Sequence, residues 1–168
     1  DYDSRNEWQL MRDPMAEPMY VHYRLKTWDQ FNTRLLENEQ FGSYLRSNKG
    51  GMAFIDSITL GSRTPQAKMA AIYGYMQRNF RWNGEYAMLS GGKFDDLLKT
   101  RSGSSAALNL LLVNLLQRAG IQAEPLLVRT NDLGKPQKMY PVRYQFNHVI
   151  AAAEVDGQRV LLDLTSGS

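Results

Sequence analysis

The 168-residue sequence contains no cysteine. It can therefore form neither a disulfide nor a thiolate metal site, and it offers no thiol nucleophile. His22 and His148 are the only two histidines, which excludes a zinc site built from several imidazoles. An acidic loop of the calcium-binding type does not occur either. From these absences we expect no metal and no other cofactor.

The sequence also lacks runs of basic residues and long apolar runs. The 20 Lys and Arg exceed the 17 Asp and Glu by only three charges, and they are scattered singly. Nucleic-acid-binding domains usually cluster their cations, so we expect no nucleic-acid partner. A basic module for nucleic acid or an anionic glycan is kept as a third alternative. No stretch approaches the roughly 18 apolar residues of a membrane span. The 43% hydrophobic content predicts a globular domain.

Both ends of the chain read as those of a piece of a longer protein. The start has no methionine and no signal-peptide pattern, and the last strand-like run is cut by Ser166-Gly167-Ser168. We therefore expect neighbouring domains in the same polypeptide. Residues 1–26, with a strand-like run at 19–25, would be a link, and residues 27–168 would be the main domain. His22 is given no role.

Capping residues and helical spacing predict three helices before residue 81. Thr27 is a good N-cap for the first, and Thr64 followed by Pro65 is a typical start for the third. The third helix carries apolar residues at helical spacing: Met69, Ile72, Tyr73, Met76 and Phe80. The first two helices are predicted over 28–36 and 40–46, loops over 48–51 and 81–93, and a helical turn over 94–98.

A helix from about Ser104 to Ala119 is apolar almost all round, and Gly120 ends it. Such a helix must be buried on most faces, and at about 14 residues it is too short for a membrane. We therefore expect it to be the central helix of the domain. Asn109 and Asn114 interrupt its apolar surface, and buried amides need partners, so we expect structural hydrogen bonds to loops.

Three β signals follow the central helix, at 124–130, 146–155 and 158–165. The last two flank Asp156-Gly157, a strong hairpin signal, and the polar segment 131–136 reads as a loop. Helices followed by a meander indicate an α+β fold. We expect the buried helix to pack on an antiparallel sheet of at least three strands.

The hairpin register brings two polar side chains to one face. With a two-residue turn at 156–157, Asp163 faces Ile150 and His148 faces Thr165. His148 and Asp163 then become diagonal neighbours, with Cβ atoms roughly 7 Å apart or less. A one-residue slip would place them on opposite faces. The register therefore predicts an imidazole–carboxylate contact.

Ser105 supplies a third element at the start of the central helix. A side chain there lies at the positive end of the helix dipole, where an anion is stabilised. A nucleophile at this position, His148 behind it and Asp163 orienting the imidazole would follow the logic of a catalytic triad. Ser104 and Ser105 are also good N-caps, and a capping role would explain them without any catalytic function. Trp82 and Tyr86 either line a cleft at this site or fill the rim of the core.

These residues resemble a known family, the transglutaminase-like domains. The family motif reads roughly Gly-x-Cys, a Leu-rich helix and Ala-Gly-Ile-x-Ala, followed by a His strand and an Asp-x-Thr strand. The matching runs here are Gly103–Leu111, Leu115–Ala123, Asn147–Ile150 and Leu162–Thr165. The resemblance follows the order of elements over residues 28–165 and is specific from Lys99 onward.

The resemblance implies a papain-like fold in its transglutaminase-like variant, within the cysteine protease superfamily. It is strongest to the branch found in multidomain envelope proteins of Bacteroidetes-type bacteria, where the domain lies between β-rich domains behind a secretion signal. It thus implies a periplasmic or cell-envelope location. It also implies that residues 1–26 link to a preceding β-rich domain.

Ser105 stands where the family has its cysteine nucleophile. The family's activity requires a thiolate paired with an imidazolium, whereas a serine needs a general base and a preformed oxyanion hole. Three origins stay open: a natural loss of catalysis, an engineered replacement of cysteine, or a true serine nucleophile. The sequence leaves open whether the domain is an enzyme.

Two functions follow from these alternatives. The first is a non-catalytic domain that binds an extended peptide or glycan-linked peptide, or that scaffolds neighbouring domains. The second is a protease-like acyl-transfer or amide-hydrolysing enzyme. In it Ser105 attacks the carbonyl, His148 shuttles the proton and Asp163 fixes the tautomer. The backbone N–H of Ser105 would then supply part of the oxyanion hole.

Overall fold

The computed structural model describes residues 28–130 and 146–166, and within them it contains six helices and five strands. The helices are α1 (Trp28–Glu37), α2 (Gly42–Arg46), α3 (Gly51–Ile58), α4 (Pro65–Asn79), α5 (Phe94–Thr100) and α6 (Ser105–Arg118). The strands are β1 (Arg81–Trp82), β2 (Ser102–Gly103), β3 (Gln122–Val128), β4 (His148–Val155) and β5 (Gln158–Leu162). The predictions for residues 1–27, including the Thr27 cap and His22, and for the loop 131–136 lie outside the described residues.

The helix α6 forms the centre of the domain, as its apolar circumference predicts. Twelve of its 14 residues are buried, from Ser105 to Leu116. Ser104 is the N-cap, and its side chain accepts a hydrogen bond from the backbone N–H of Ala107. At the other end Gly120 has a φ of 81°, and the N–H of Ile121 donates to the carbonyl of Leu116. The predicted position and ends of the central helix are confirmed.

An antiparallel sheet in the order β3-β4-β5 packs against α6. Alternate residues of β4 are fully buried, because one face of the strand is turned toward the helix: Val149, Ala151 and Ala153. Small side chains at two of these positions let the sheet approach α6 closely. The predicted α+β class and the three-stranded antiparallel sheet are confirmed.

The hairpin turn has the predicted two residues. Asp156 and Gly157 both have positive φ, 52° and 73°, which is the conformation of a type I′ turn. Val155 pairs with Gln158, so the predicted register is correct.

The strand β5 is shorter than predicted. The ladder ends at the pair Ala151–Leu162, so the predicted pairs beyond it, at Ile150 and His148, do not form. The backbone turns away after Leu162, and the backbone N–H of Thr165 donates to the Asp163 carboxylate. A local side-chain acceptor thus replaces the ladder at this point.

Two predictions in the helical half need correction. Gly51 does not end a loop: it begins the short helix α3, whose Ile55 packs into the core and makes helix formation favourable there. The segment 81–93 is not loop throughout, because it begins with β1, which pairs in parallel with β2. The predicted start of α4 is confirmed, since the Thr64 side chain accepts from the N–H of Ala67.

Asn114 joins α6 to the C-terminal end of α2. Its buried Nδ2 lies 2.8, 3.0 and 2.7 Å from the carbonyl oxygens of Tyr44, Leu45 and Ser47. These carbonyls lie at the end of α2, where the last carbonyl groups of a helix have no backbone N–H partner within the helix. The predicted structural hydrogen bonds from Asn114 are therefore present, but two of the three acceptors lie in the last turn of α2 rather than in a loop.

We expect Asn114→Ala to lower the free energy of unfolding by about 2–3 kcal/mol, because it leaves buried carbonyl groups without a donor. Urea denaturation measures this change. The matched control is Asn79→Ala, which removes an exposed side-chain hydrogen bond to Tyr75 and should cost less than about 0.5 kcal/mol. Equal losses in the two variants would contradict the role given to Asn114.

Candidate functional site

The structure brings His148 and Asp163 into direct contact. Nε2 of His148 lies 2.8 Å from Oδ2 of Asp163. His148 is 5% exposed and lies at the first position of β4, whereas Asp163 directly follows β5. The predicted imidazole–carboxylate contact is therefore present, although Asp163 lies just beyond the last pair of the ladder rather than opposite Ile150. Their catalytic role stays a prediction.

The second oxygen of Asp163 is held by three further donors. Oδ1 accepts from the backbone N–H of Thr165 at 2.9 Å, from its hydroxyl at 2.8 Å, and from Nδ2 of Asn109 at 3.0 Å. Burial alone would raise the pKa of Asp163. The hydrogen bonds from His148, Thr165 and Asn109 outweigh burial and lower this pKa to about 2. Asp163 is therefore ionised at neutral pH.

Asn109 is a site residue that the sequence analysis assigned only to structural hydrogen bonds. Its Nδ2 donates to the carbonyl of Val149 at 2.7 Å as well as to Asp163, and its Oδ1 accepts from the N–H of Leu164 at 3.0 Å. It lies four residues after Ser105, on the same face of α6. The sequence feature that could have identified Asn109 as a site residue is its amide side chain in an otherwise apolar helix, one turn after Ser105.

The ionised carboxylate fixes the proton on the His148 ring. Asp163 can only accept, so Nε2 of His148 carries a hydrogen. Nδ1 is buried and has no hydrogen-bond partner among residues 28–130 and 146–166. Within these residues, the carboxylate is thus the one hydrogen-bond partner of the ring.

Ser105 is fully buried, and its hydroxyl group bonds to the backbone of Ala87. Oγ accepts from the N–H of Ala87 at 2.9 Å and donates to its carbonyl oxygen at 3.2 Å. No hydrogen bond joins Ser105 to His148 in the described part of the chain. The backbone N–H of Ser105, predicted to belong to an oxyanion hole, donates to the carbonyl of Glu85 at 3.0 Å. The three predicted residues share one region without forming a hydrogen-bonded triad.

Gly103 allows the close packing that holds Ser105 in place. A Cβ atom at this position would lie 2.9 Å from Cδ1 of Leu97 and 3.0 Å from Cβ of Ala107. Any larger residue would push β2 away from α5 and α6. Steric crowding therefore explains why a glycine occupies the position two residues before Ser105.

Two aromatic rings lie over the site. The Tyr86 ring centroid is 4.9 Å from that of His148 and 4.9 Å from that of Trp82. Tyr86 is 45% exposed, so its ring separates the imidazole from solvent. Trp82 is packed against the hydrophobic core, as the second of the two alternatives has it, and Tyr86 lies between Trp82 and His148.

An open pocket of about 380 Å³ lies elsewhere, between α2 and the start of α5. Its charged lining residues are Arg46, Lys49, Lys93 and Asp95, and none of the three predicted site residues lines it. Lys49 pairs with Asp95 across it. Within residues 28–130 and 146–166, no three acidic or histidine side chains group as metal ligands. No helix in those ranges is long and apolar enough to cross a membrane.

The lowered pKa of Asp163 predicts a pH dependence of stability. Its folded value of about 2 lies below the ordinary 3.8, so the unfolded chain binds the proton first as pH falls. The stabilisation is therefore complete above about pH 4 and is lost toward pH 2. We expect it to amount to about 2 kcal/mol. Comparing urea denaturation of the unaltered protein and Asp163→Asn across this range measures it, and parallel stability curves would contradict it.

Three solved structures share this fold. They are a proposed protease from Parabacteroides distasonis (21% identity, TM-score 0.59), a proposed cysteine protease from Cytophaga hutchinsonii (17%, 0.54) and the periplasmic domain of TgpA from Pseudomonas aeruginosa (17%, 0.51). The matches cover 81%, 92% and 98% of this chain but only 25%, 46% and 48% of those chains. The chain thus spans a quarter to about half of their length. No curated protein matches the sequence significantly.

The sequence itself matches a family model over residues 52–159, which is more than half of the chain. The matched region runs from α3 into β5 and includes Ser105 and His148. The model describes the transglutaminase-like superfamily. The chain belongs to the transglutaminase-like superfamily.

Proposed function

We propose that this domain binds extended polypeptide without cleaving it. The observation that carries the proposal is the hydroxyl group of Ser105, which is fully buried and bonded to Ala87 rather than to His148. We assign Ser105 to the position of the family's cysteine nucleophile. A hydroxyl group held in this way is not activated by a general base, and it is far less acidic than a thiol.

The chemistry of the site suits the backbone of a polypeptide. The groups that converge on it are a hydroxyl group, N–H donors and aromatic rings, and they already contact the backbone of Glu85 and Ala87. Such groups recognise peptide units irrespective of side-chain sequence. We therefore propose a peptide or a glycan-linked peptide as ligand, and neighbouring domains of the same polypeptide as partners.

The cell envelope is the location that fits this proposal best. One of the similar structures is named as a periplasmic domain, and this chain covers 48% of it. A peptide-binding module among further domains in that compartment would meet extended polypeptides and peptides linked to glycans. We propose that location together with the binding function.

One observation favours a second candidate, an acyl-transfer enzyme. Asp163 is ionised and accepts from Nε2 of His148, and Nδ1 of the same ring has no hydrogen bond among the described residues. After rotation of its side chain, Ser105 would attack a peptide carbonyl while Nδ1 accepts its proton. The same proton would go to the leaving amine, and water would then hydrolyse the acyl-serine.

We expect no covalent adduct when the protein is incubated with a fluorophosphonate, because a hydroxyl group bonded to Ala87 is not activated. Intact mass measures this directly. The control is Ser105→Ala. An adduct that is lost in Ser105→Ala and also in His148→Ala would replace the binding proposal by the enzymatic one.

We also expect the domain to bind a permanently unfolded polypeptide, for which reduced and carboxymethylated lactalbumin is a convenient probe. Binding should shift the amide resonances of Tyr86, Ala87 and Ser105, because these groups lie at the site. Native lactalbumin is the matched control and should cause no shift. Binding that shifts only resonances remote from Ser105, or no binding, would rule out this polypeptide site.

A further inference from the structure

The pocket between α2 and the start of α5 has a positively charged lining. Three of its lining side chains are cationic, Arg46, Lys49 and Lys93, and Asp95 supplies the one carboxylate. Asp95 pairs with Lys49, with Oδ1 lying 3.0 Å from Nζ. Arg46 and Lys93 form no ion pair within residues 28–130 and 146–166. Two positive charges therefore line the pocket without a counter-charge in that part of the chain.

One wall of the pocket is held by α6. Nδ2 of Asn114 donates to the carbonyl of Ser47 at 2.7 Å, and the Arg118 guanidinium group donates to the carbonyl of Lys49 at 3.0 Å. Both acceptors lie within three residues of Arg46, so the backbone that carries this cation is anchored to the central helix.

The opposite wall is joined to α2 through Tyr44. The Tyr44 hydroxyl group donates to the carbonyl of Gly92 at 3.0 Å, and the hydroxyl group of Ser90 donates to the same carbonyl at 2.9 Å. The Tyr44 ring packs edge-on against Phe94, with ring centroids 5.2 Å apart. Tyr44 is 1% exposed, so this link lies inside the protein. The pocket is thus preformed, and a ligand binds it without the entropic cost of ordering a loop.

The lining also offers hydrogen-bond donors that no protein group uses. Nη1 of Arg46 donates to the carbonyl of Leu36 at 2.7 Å, and its other guanidinium N–H groups have no partner among the described residues. The same holds for the ammonium group of Lys93 and the hydroxyl group of Ser47. Guanidinium and ammonium groups form charge-assisted hydrogen bonds to phosphate oxygens.

The charge and the size of the pocket favour one class of ligand. A phosphate monoester carries about 1.5 to 2 negative charges at pH 7, which matches the two unpaired cations, whereas a carboxylate carries one. The volume of about 380 Å³ exceeds what a phosphate ion needs and falls in the usual range of small-molecule sites. The partly buried Phe94 ring offers an apolar surface to the rest of such a ligand.

We propose that this pocket binds a small organic phosphate monoester, with the phosphate group at Arg46 and Lys93 and the organic part against Phe94. None of the three residues of the predicted triad lines the pocket. The inference therefore goes beyond the proposed polypeptide binding and does not depend on it. Inorganic phosphate and a lipid phosphate share part of this chemistry, and separate measurements distinguish them from a soluble ester.

Titration with phenyl phosphate, followed by NMR, tests the site directly. We expect saturable shifts of the amide resonances of Ser47, Lys93 and Phe94, with a Kd of about 1 mM. Phenyl sulfate has the same shape and one negative charge, and it should bind at least about threefold more weakly. Inorganic phosphate lacks the organic part and should also bind more weakly, whereas vesicles of phosphatidic acid should not bind the protein.

Charge changes at neighbouring positions should have opposite effects on this Kd. Lys93→Gln and Arg46→Gln should each raise it about fivefold, because each removes an exposed cation that contacts the phosphate. Asp95→Asn should lower it about threefold, because it removes a carboxylate that repels the ligand. The matched controls are Lys99→Gln and Asp56→Asn, which are exposed and do not line the pocket. They should change the Kd less than about twofold, since solvent and salt screen distant charges.

Each alternative result overturns the proposal. Without a saturable shift, or with shifts confined to other residues, the pocket is not the site. Equal weakening by Lys93→Gln and Lys99→Gln would show attraction by overall charge. Inorganic phosphate or phosphatidic acid vesicles binding as tightly as phenyl phosphate would reject a soluble organic ester. Lys93→Gln removes no hydrogen bond of the described residues, so it should keep the fold even where Arg46→Gln, which loses the bond to Leu36, does not.

Discussion

Burial of α6 favours partners inside the protein for the polar side chains of this helix, although Oδ1 of Asn114 has none among the described residues. An unpaired amide or hydroxyl group in such a place costs about 1–3 kcal/mol. Asn114 contacts carbonyls at the end of α2, Ser104 caps the helix, and Asn109 and Ser105 contact the segments beside its start. The helix is thus the scaffold of the domain, and its polar residues determine where four other segments lie.

The contacts of the candidate site have the same physical cause. Asn109 holds Asp163, Asp163 orients His148, and Ser105 holds Ala87, so each contact that satisfies the buried helix also builds the site. A domain of this design can keep its histidine–carboxylate pair without catalysis, because removing Asp163 would take away the hydrogen bond that the buried His148 ring makes to it. Retention of His148 and Asp163 is therefore compatible with a binding domain of the transglutaminase-like superfamily.

Several features of the fold follow from short stretches of sequence. Asp156-Gly157 fixes the hairpin register, which brings the end of β5 near the start of β4, and the turn after Leu162 completes the contact of Asp163 with His148. The apolar circumference of 104–119 predicts the central helix, because it depends on composition and period alone. The helix α3 was missed since the glycines before it are typical of a loop, and only tertiary burial of Ile55 shows why a helix forms there. Such packing is not encoded in local patterns.

The partners of Ser105 could not be predicted for a similar reason. The path of residues 83–89 has no period and no capping signal, so nothing in the sequence indicated that Ala87 and Glu85 would reach the start of α6. Asn109 gave a clear signal, a buried amide, but its partner at Asp163 depends on three segments meeting in space. The residue types in the sequence were enough to single out Ser105 and Asn109. Their hydrogen-bond partners depend on contacts between segments that are distant in the sequence.

The ring nitrogens of His148 offer the most direct test of whether Ser105 and His148 act together. Nitrogen-15 NMR of the imidazole distinguishes a protonated from an unprotonated nitrogen and detects a hydrogen bond to either, and the chain has one other histidine. The account predicts that Nε2 carries the proton and that Ser105→Ala leaves the Nδ1 resonance unchanged. A shift of Nδ1 that follows the loss of the Ser105 hydroxyl group would show a serine–histidine hydrogen bond and contradict the non-catalytic account.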